Sequence, residues 1–181
     1  MIMKFSLFTL GLCAGLLLTS GCSKHEEVSK VAPKSADKEV PVAVRLRLVN
    51  VLDKVIFDDA HIKGGKGVES INIAMETLKD AAKQWDKAVP VVVYCSNYWC
   101  TASGQGAREL TELGFKEVWA YEGGMAEWYQ LNQQNPEFAI EGPAQMAYLK
   151  MKVAAPARRD EKIKVIDAQM LQKMIKQDTL N

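Results

Sequence analysis

The sequence predicts an α/β fold, a central parallel sheet with helices on both faces. Val91-Val92-Val93-Tyr94 and Glu117-Val118-Trp119-Ala120-Tyr121 are short runs of mainly β-branched and aromatic residues, the pattern of strands buried on both sides, as parallel strands are. Between them, apolar or small residues at Gly106, Ala107, Leu110 and Leu113 follow a helical period, and Gly114 closes it. Glycine suits the left-handed position just past a helix. Strand, helix and strand in that order make the crossover that parallel pairing requires.

The chain has 181 residues, 48% of them apolar, and a net charge of +1. That suits one globular domain with extensions and argues against a nucleic-acid partner. Four cysteines are too few for a disulfide scaffold. Residues 1–22 read as a targeting segment: Lys4, an apolar stretch from Phe5 to Leu18, then Thr19-Ser20-Gly21-Cys22. The stretch falls short of the roughly 20 residues a membrane span needs. It resembles a bacterial lipoprotein signal, which implies that Cys22 becomes the lipidated amino terminus. Thr19 stands where that signal usually carries Leu, so an ordinary secretory signal is the alternative. Ser23 after the Cys resembles the outer-membrane sorting pattern of enteric-type bacteria. The expected location is the periplasmic face of the cell envelope, lipid-anchored, at the outer membrane rather than the inner. Residues 23–41 are a flexible tether of Lys, Glu, Ser, Asp and Pro with no apolar period, which cannot form a core.

The domain is expected over residues 42–150. Val42, Val44, Leu46 and Leu48 alternate with polar residues and lead into a strand ending near Val51. Phe57 to His61 is expected as a short helical turn, and Lys63-Gly64-Gly65-Lys66-Gly67 as a loop. No Ser or Thr and helix follow those glycines, so they do not make a phosphate loop. Met75, Leu78, Ala81, Ala82, Trp85 and Ala88 share one helical face. Gly123-Gly124 is a tight turn before a helix carrying Trp128 into the core. Glu141-Gly142-Pro143 is a further turn, and Ala147-Tyr148-Leu149 begins the last packing helix. In the extension, residues 151–181, a polar break at Ala154 to Arg159 precedes a short strand at Ile163 to Ile166. A helix with Met170, Leu171, Met174 and Ile175 on one face follows. It either caps the domain or docks on a partner.

Cys95 ends the Val91 strand, and ligands bind at the carboxyl ends of strands in open α/β sheets. The loop Cys95 to Thr101 runs into the amino end of a helix, where free N–H groups and the helix dipole favour a thiolate. The thiolate is the nucleophile, and the same donors would hold an anionic sulfur species. Against this stands a Cys95 that merely closes a buried strand. Cys100 makes a second chemistry: Cys95 attacks and Cys100 resolves in a dithiol–disulfide cycle, or the pair is a static disulfide stapling the loop. Arg108 is expected to face solvent. Against a chemical reading of His61 as a base near Cys95 stands a structural one, in which it fixes its turn. Two of the cysteines and two distant histidines make no convincing zinc set, so no metal and no cofactor is expected.

Tyr94-Cys95, Ala107, Leu110, Gly114-Phe115, Val118, Gly123-Gly124 and Trp128 resemble, in order and spacing, the second half of a rhodanese-like (sulfurtransferase) domain. Leu48-Val49-Asn50-Val51-Leu52, His61-Ile62-Lys63-Gly64 and Ile71-Asn72-Ile73 resemble its first half. The resemblance implies Cys95 as catalytic nucleophile carrying sulfane sulfur as a persulfide. It also implies a binding loop of Ser96, Asn97, Tyr98, Trp99, Thr101, Ala102 and Ser103. The partners would be a small sulfur donor and a thiol or persulfide acceptor, including a periplasmic protein. Three positions depart from the family pattern. Asn50 and Leu52 stand where Asp and Arg are usual. The loop also lacks its usual Arg: Ala102 replaces it if Ser103 matches the family Ser, and Cys100 replaces it if the usual length is kept. These departures leave two other readings open, a thiol–disulfide redox protein using Cys95 and Cys100, and a non-catalytic binding module of the cell envelope.

Overall fold

A computed structural model of the chain describes residues 42–156 and 161–177. The chain divides into two units, Met1–Glu39 and Val40–Asn181, and the described residues belong to the second. Cys22, with the expected signal and tether, lies outside the described residues. The elements run β1 (Leu46–Asn50), α1 (Lys54–Asp59), β2 (His61–Ile62), β3 (Val68–Asn72), α2 (Met75–Ala82), β4 (Val91–Tyr94), α3 (Ala102–Glu112), β5 (Val118–Tyr121), α4 (Gly124–Asn132), β6 (Ile140–Glu141) and α5 (Ala168–Lys176). Short 3-10 turns stand at Pro136–Phe138 and Ala147–Lys150.

The central sheet has the order β3-β1-β4-β5, and every pairing is parallel. Alternation along each strand divides its side chains between two cores. Leu46, Leu48, Val92, Tyr94 and Tyr121 pack with Met125, Trp128, Phe138, Leu149 and Leu171 on one face. Val49, Val91, Val93, Cys95 and Ala120 pack with Leu78, Ala107, Leu110 and Phe115 on the other. This is why the strands read as unbroken apolar runs. It also fixes the Cys95 side chain on the α2–α3 face. Trp128 lies fully buried between the edges of Tyr121 and Phe138, with ring centroids 6.1 and 5.9 Å away.

Several elements differ from expectation. The second helix stops at Ala82, six residues before the apolar period ends at Ala88. The N–H groups of Lys83, Gln84 and Trp85 each donate three residues back, a tightening that ends the helix. Trp85 is thereby free to meet Phe115 edge-on and the Arg47 guanidinium 4.4 Å from its ring. The helical turn lies at Lys54–Asp59, and His61 begins β2 instead, paired antiparallel with β6. Its Nδ1 donates to the Phe57 carbonyl at 2.9 Å and its ring stacks on Phe57. That occupies His61 structurally. The expected strand at Ile163 to Ile166 is a single parallel bridge from Val165 to Ala120, on the free edge of β5. Beyond it, α5 turns Ala168, Leu171 and Met174 into the core, and Arg45 donates to the carbonyls of Met174 and Ile175.

Two polar devices hold the first half. Asn50 Oδ1 accepts the Leu52 N–H, while Asn72 Nδ2 donates to the carbonyls of Asn50 and Leu52. An amide network therefore braces the turn where the family pattern places Asp and Arg. The buried Asp59 carboxylate accepts the N–H groups of Gln145 and Met146 at 2.9 and 3.1 Å. Asp59→Ala removes the acceptor of both donors, each in a half-buried hydrogen bond to a charged group. A loss of about 2–3 kcal/mol in unfolding free energy is expected, measured by urea denaturation; an unchanged midpoint would show that the segment is held elsewhere.

Candidate active site

The site forms where β4 ends and α3 begins. Cys95 follows directly on β4 and is completely buried. The chain then curls back on itself. The Cys100 N–H donates to the Asn97 carbonyl at 2.9 Å, and Asn97 Oδ1 accepts the Trp99 N–H at 3.0 Å. From the other side, the N–H groups of Met125 and Ala126 donate to the carbonyls of Cys95 and Ser96, both at 2.9 Å. The start of α4 is thus docked on the start of the loop. Gly124, at φ 62°, permits that approach: a Cβ there would lie 2.6 Å from the Cys95 carbonyl oxygen.

The curl brings the two cysteines together as free thiols. Cys95 Sγ lies 3.3 Å from the Cys100 carbonyl oxygen, to which it donates, and 3.5 Å from Ser103 Oγ. α3 begins without a side-chain cap at Thr101, so its first N–H groups are open to the sulfurs. The Ser103 N–H and hydroxyl face Cys95, and the N–H groups of Ser96 and Ala102, with the Ser96 hydroxyl, face Cys100. The electrostatics run opposite to the sequence expectation. The neighbouring Cys100 side chain, and then burial, push the Cys95 thiol far up. The S–H of Cys95, and then the Ala102 and Ser96 donors, hold Cys100 below the ordinary thiol range against its partial burial. Of the two sulfurs, the more exposed Cys100 is the one whose surroundings favour the charged form. The spacing of two cysteines in a loop does not reveal which one the fold buries.

The predicted binding residues take different parts. Ser103 is fully buried and Asn97 nearly so. Tyr98 donates to Glu127 Oε1 at 2.9 Å. Trp99 is 70% exposed, so packing does not account for it. Cys100, Thr101 and Ser103 line a cavity of about 640 Å³. Lys79, Arg108 and Glu122 also line it, as do Pro156 and Ile163 from the C-terminal segment. Arg108 is exposed, as its helical position predicts, yet stands on the cavity wall. Sequence reasoning missed Lys79, Pro156 and Ile163, which come from distant parts of the chain. Cys95 is not among the lining residues. Tyr98 separates this cavity from an apolar groove of about 460 Å³ between α4 and residues 151–154.

Residues 32–131 match the family model described as rhodanese-like domain. The chain belongs to the rhodanese-like family. A thiosulfate sulfurtransferase GlpE of Coxiella burnetii is 32% identical over 81 residues, 45% of this chain and 69% of that protein. A GlpE of Shewanella oneidensis is 29% identical over 109 residues, 60% of this chain and 95% of that protein. Among solved structures, a Rhodanese_3-like domain from Anabaena sp. aligns with a TM-score of 0.43 at 24% identity, covering 53% of this chain and 98% of its own. In this rhodanese-like chain the loop from Cys95 to Ser103 carries no Lys or Arg, and its cations stand at Lys79 and Arg108 on the cavity wall.

Proposed function

We propose that this chain is a sulfurtransferase that carries sulfane sulfur as a persulfide on Cys95 and passes it to a thiol or another small nucleophile. One observation carries the reading. Two free thiols, with Cys95 Sγ 3.3 Å from the Cys100 carbonyl oxygen, sit at the carboxyl end of β4, ringed by N–H groups of Ser96, Ala102 and Ser103. Backbone donors grouped in this way stabilise a terminal persulfide anion without a side-chain cation. The relatives' description as thiosulfate sulfurtransferases supports the same chemistry. A loop free of cations favours a donor of lower charge than thiosulfate, such as a low-molecular-weight persulfide or polysulfide. The interaction between the two cysteine side chains also supports a second reading, a protein that cycles between dithiol and Cys95–Cys100 disulfide.

Intact mass of the reduced full-length chain, before and after incubation with inorganic polysulfide, tests both. The expected result is a gain of about 32 Da per sulfur, removed by cyanide as thiocyanate, mapped to the Cys95–Cys100 segment and lost from that segment in the double variant Cys95→Ser/Cys100→Ser. No gain would sink the sulfurtransferase reading. A loss of about two mass units without sulfur uptake would establish the disulfide cycle instead.

A further inference from the structure

We infer that Cys100 is the thiol that meets the sulfur donor, and that it relays the sulfur inward to Cys95. The inference rests on the sulfurtransferase reading and deepens it by separating loading from storage. Its ground is the mismatch between position and access. Cys95 holds the strand-end place, yet it is 0% exposed and absent from the cavity wall. Cys100 is half-buried and lines the cavity with Thr101, Ser103 and Gly104. A donor diffusing into the cavity reaches the Cys100 sulfur and is screened from the Cys95 sulfur behind it.

The seal over Cys95 is built from several parts of the fold. Ser103 at the first turn of α3 is fully buried beside it. The α4 start holds its carbonyl, and Gly124 approaches too closely for another residue to fit. Ile163 reaches α3 at Gly104, where its Cδ1 would lie 3.0 Å from an added Cβ. Cys100 and Ser103 both touch Cys95 and both line the cavity, and of the two only Cys100 carries a thiol.

The chemistry balances without an added oxidant or reductant. The Cys100 thiolate attacks the terminal sulfur of a persulfide donor RS–SH. The donor S–S bond breaks, Cys100–S–SH forms and RS⁻ leaves. The Cys95 sulfur then attacks the outer sulfur of that persulfide. The Cys100 S–S bond breaks, a new S–S bond forms on Cys95, and the Cys95 proton passes to the displaced Cys100 sulfur. The products are Cys95–S–SH and Cys100–SH. The interaction between the two cysteine side chains supplies the short path for both sulfur and proton. The exposed thiol has its thiolate favoured and the sealed thiol does not, which is the order the relay needs.

Quenched-flow loading of the full-length chain with glutathione persulfide tests the relay. Alkylation and chymotryptic mapping locate the sulfur, because cleavage at Tyr98 and Trp99 parts the two cysteines. In the wild type the added sulfur is expected first on the Cys100 peptide and later on the Cys95 peptide. Cys95→Ser is expected to load more slowly than the wild type, by less than about tenfold, and to keep its sulfur on Cys100. Cys100→Ser is expected to load Cys95 at least about tenfold more slowly. Cys95→Ser guards against a misfolded Cys100→Ser, because it gives a positive signal on Cys100. Sulfur appearing first on Cys95, or wild-type loading of Cys100→Ser, would overturn the relay and leave the sulfurtransferase intact. Loading followed by a Cys95–Cys100 disulfide and hydrosulfide release would also overturn it, in favour of reduction. No loading in any variant would overturn the sulfurtransferase reading itself.

Discussion

Gly124→Ala is expected to cost the domain about 2–5 kcal/mol of unfolding free energy and to expose Cys95 to alkylation. Two costs add. A side chain at φ 62° meets the left-handed penalty, about 1–2 kcal/mol for an L residue. The new Cβ would also lie 2.6 Å from the Cys95 carbonyl oxygen, 2.7 Å from the Ser96 carbonyl carbon and 2.8 Å from the Asn97 nitrogen. These are backbone atoms of a held loop, so relief requires the loop and α4 to part, an overpacking cost of about 1–3 kcal/mol. Parting them breaks the bonds from Met125 and Ala126 to the carbonyls of Cys95 and Ser96. Gly123→Ala is the control. Its φ of −59° suits any residue, and its Cβ would meet the Glu127 side chain, which can swing away at the expense of the Tyr98 bond. It is expected to cost only about 1 kcal/mol. Guanidinium unfolding of both variants, with iodoacetamide labelling of Cys95, decides the matter. Equal costs, or a Cys95 still sealed in Gly124→Ala, would show that this contact does not close the loop.

The sequence made the centre of the fold legible for the reason that also makes it stable. β4 and β5 are buried on both faces, so their side chains are apolar whichever way they point, and α3 carries one clean apolar face between them. The edge strand β3 was less visible. Val68-Glu69-Ser70-Ile71-Asn72 is half-buried, and only its Ile71-Asn72 end lies within the segment that the resemblance marked as a strand. The β2–β6 pair escaped detection because strands of two residues have no period to read. The second helix read too long because Trp85 and Ala88 continue its spacing, although the backbone has already tightened after Ala82. Spacing reports where apolar residues fall, not which neighbour each one meets.

At the site, sequence identified the thiols and the loop but not their arrangement. Tyr94-Cys95 marks the end of a strand by local pattern alone. Which sulfur is sealed depends on the loop's path, and that path is set by contacts from α4 and the C-terminal segment. Gly124 lies 29 residues from Cys95, and Ile163 lies 59 from Gly104. No local pattern around Cys95 encodes either contact.

Cys100 is expected to be the sole thiol of the domain that iodoacetamide reaches quickly, with a reactivity midpoint below the ordinary thiol value of about 8.5. The sign follows from the cause. The Cys95 S–H, followed by the Ala102 and Ser96 donors, stabilises the charged form of Cys100, so its pKa falls. Reactivity is then retained as pH drops through the ordinary thiol range and is lost only at more acidic pH. Cys95 shifts the other way and stays protonated across the same range, so it does not compete for the reagent. Cys95→Ala removes the leading donor. Its midpoint is expected to rise toward the ordinary value, and labelling at pH 7 to slow about tenfold, one pKa unit of thiolate. The Cys95→Ser variant, whose hydroxyl can still donate, is expected to fall between the two. A Cys100 midpoint that ignores both substitutions would mean that backbone donors alone hold the thiolate. The Cys95 thiol would then have lost its role in activating the outer sulfur, and the two cysteines would act independently rather than as a proton-sharing pair.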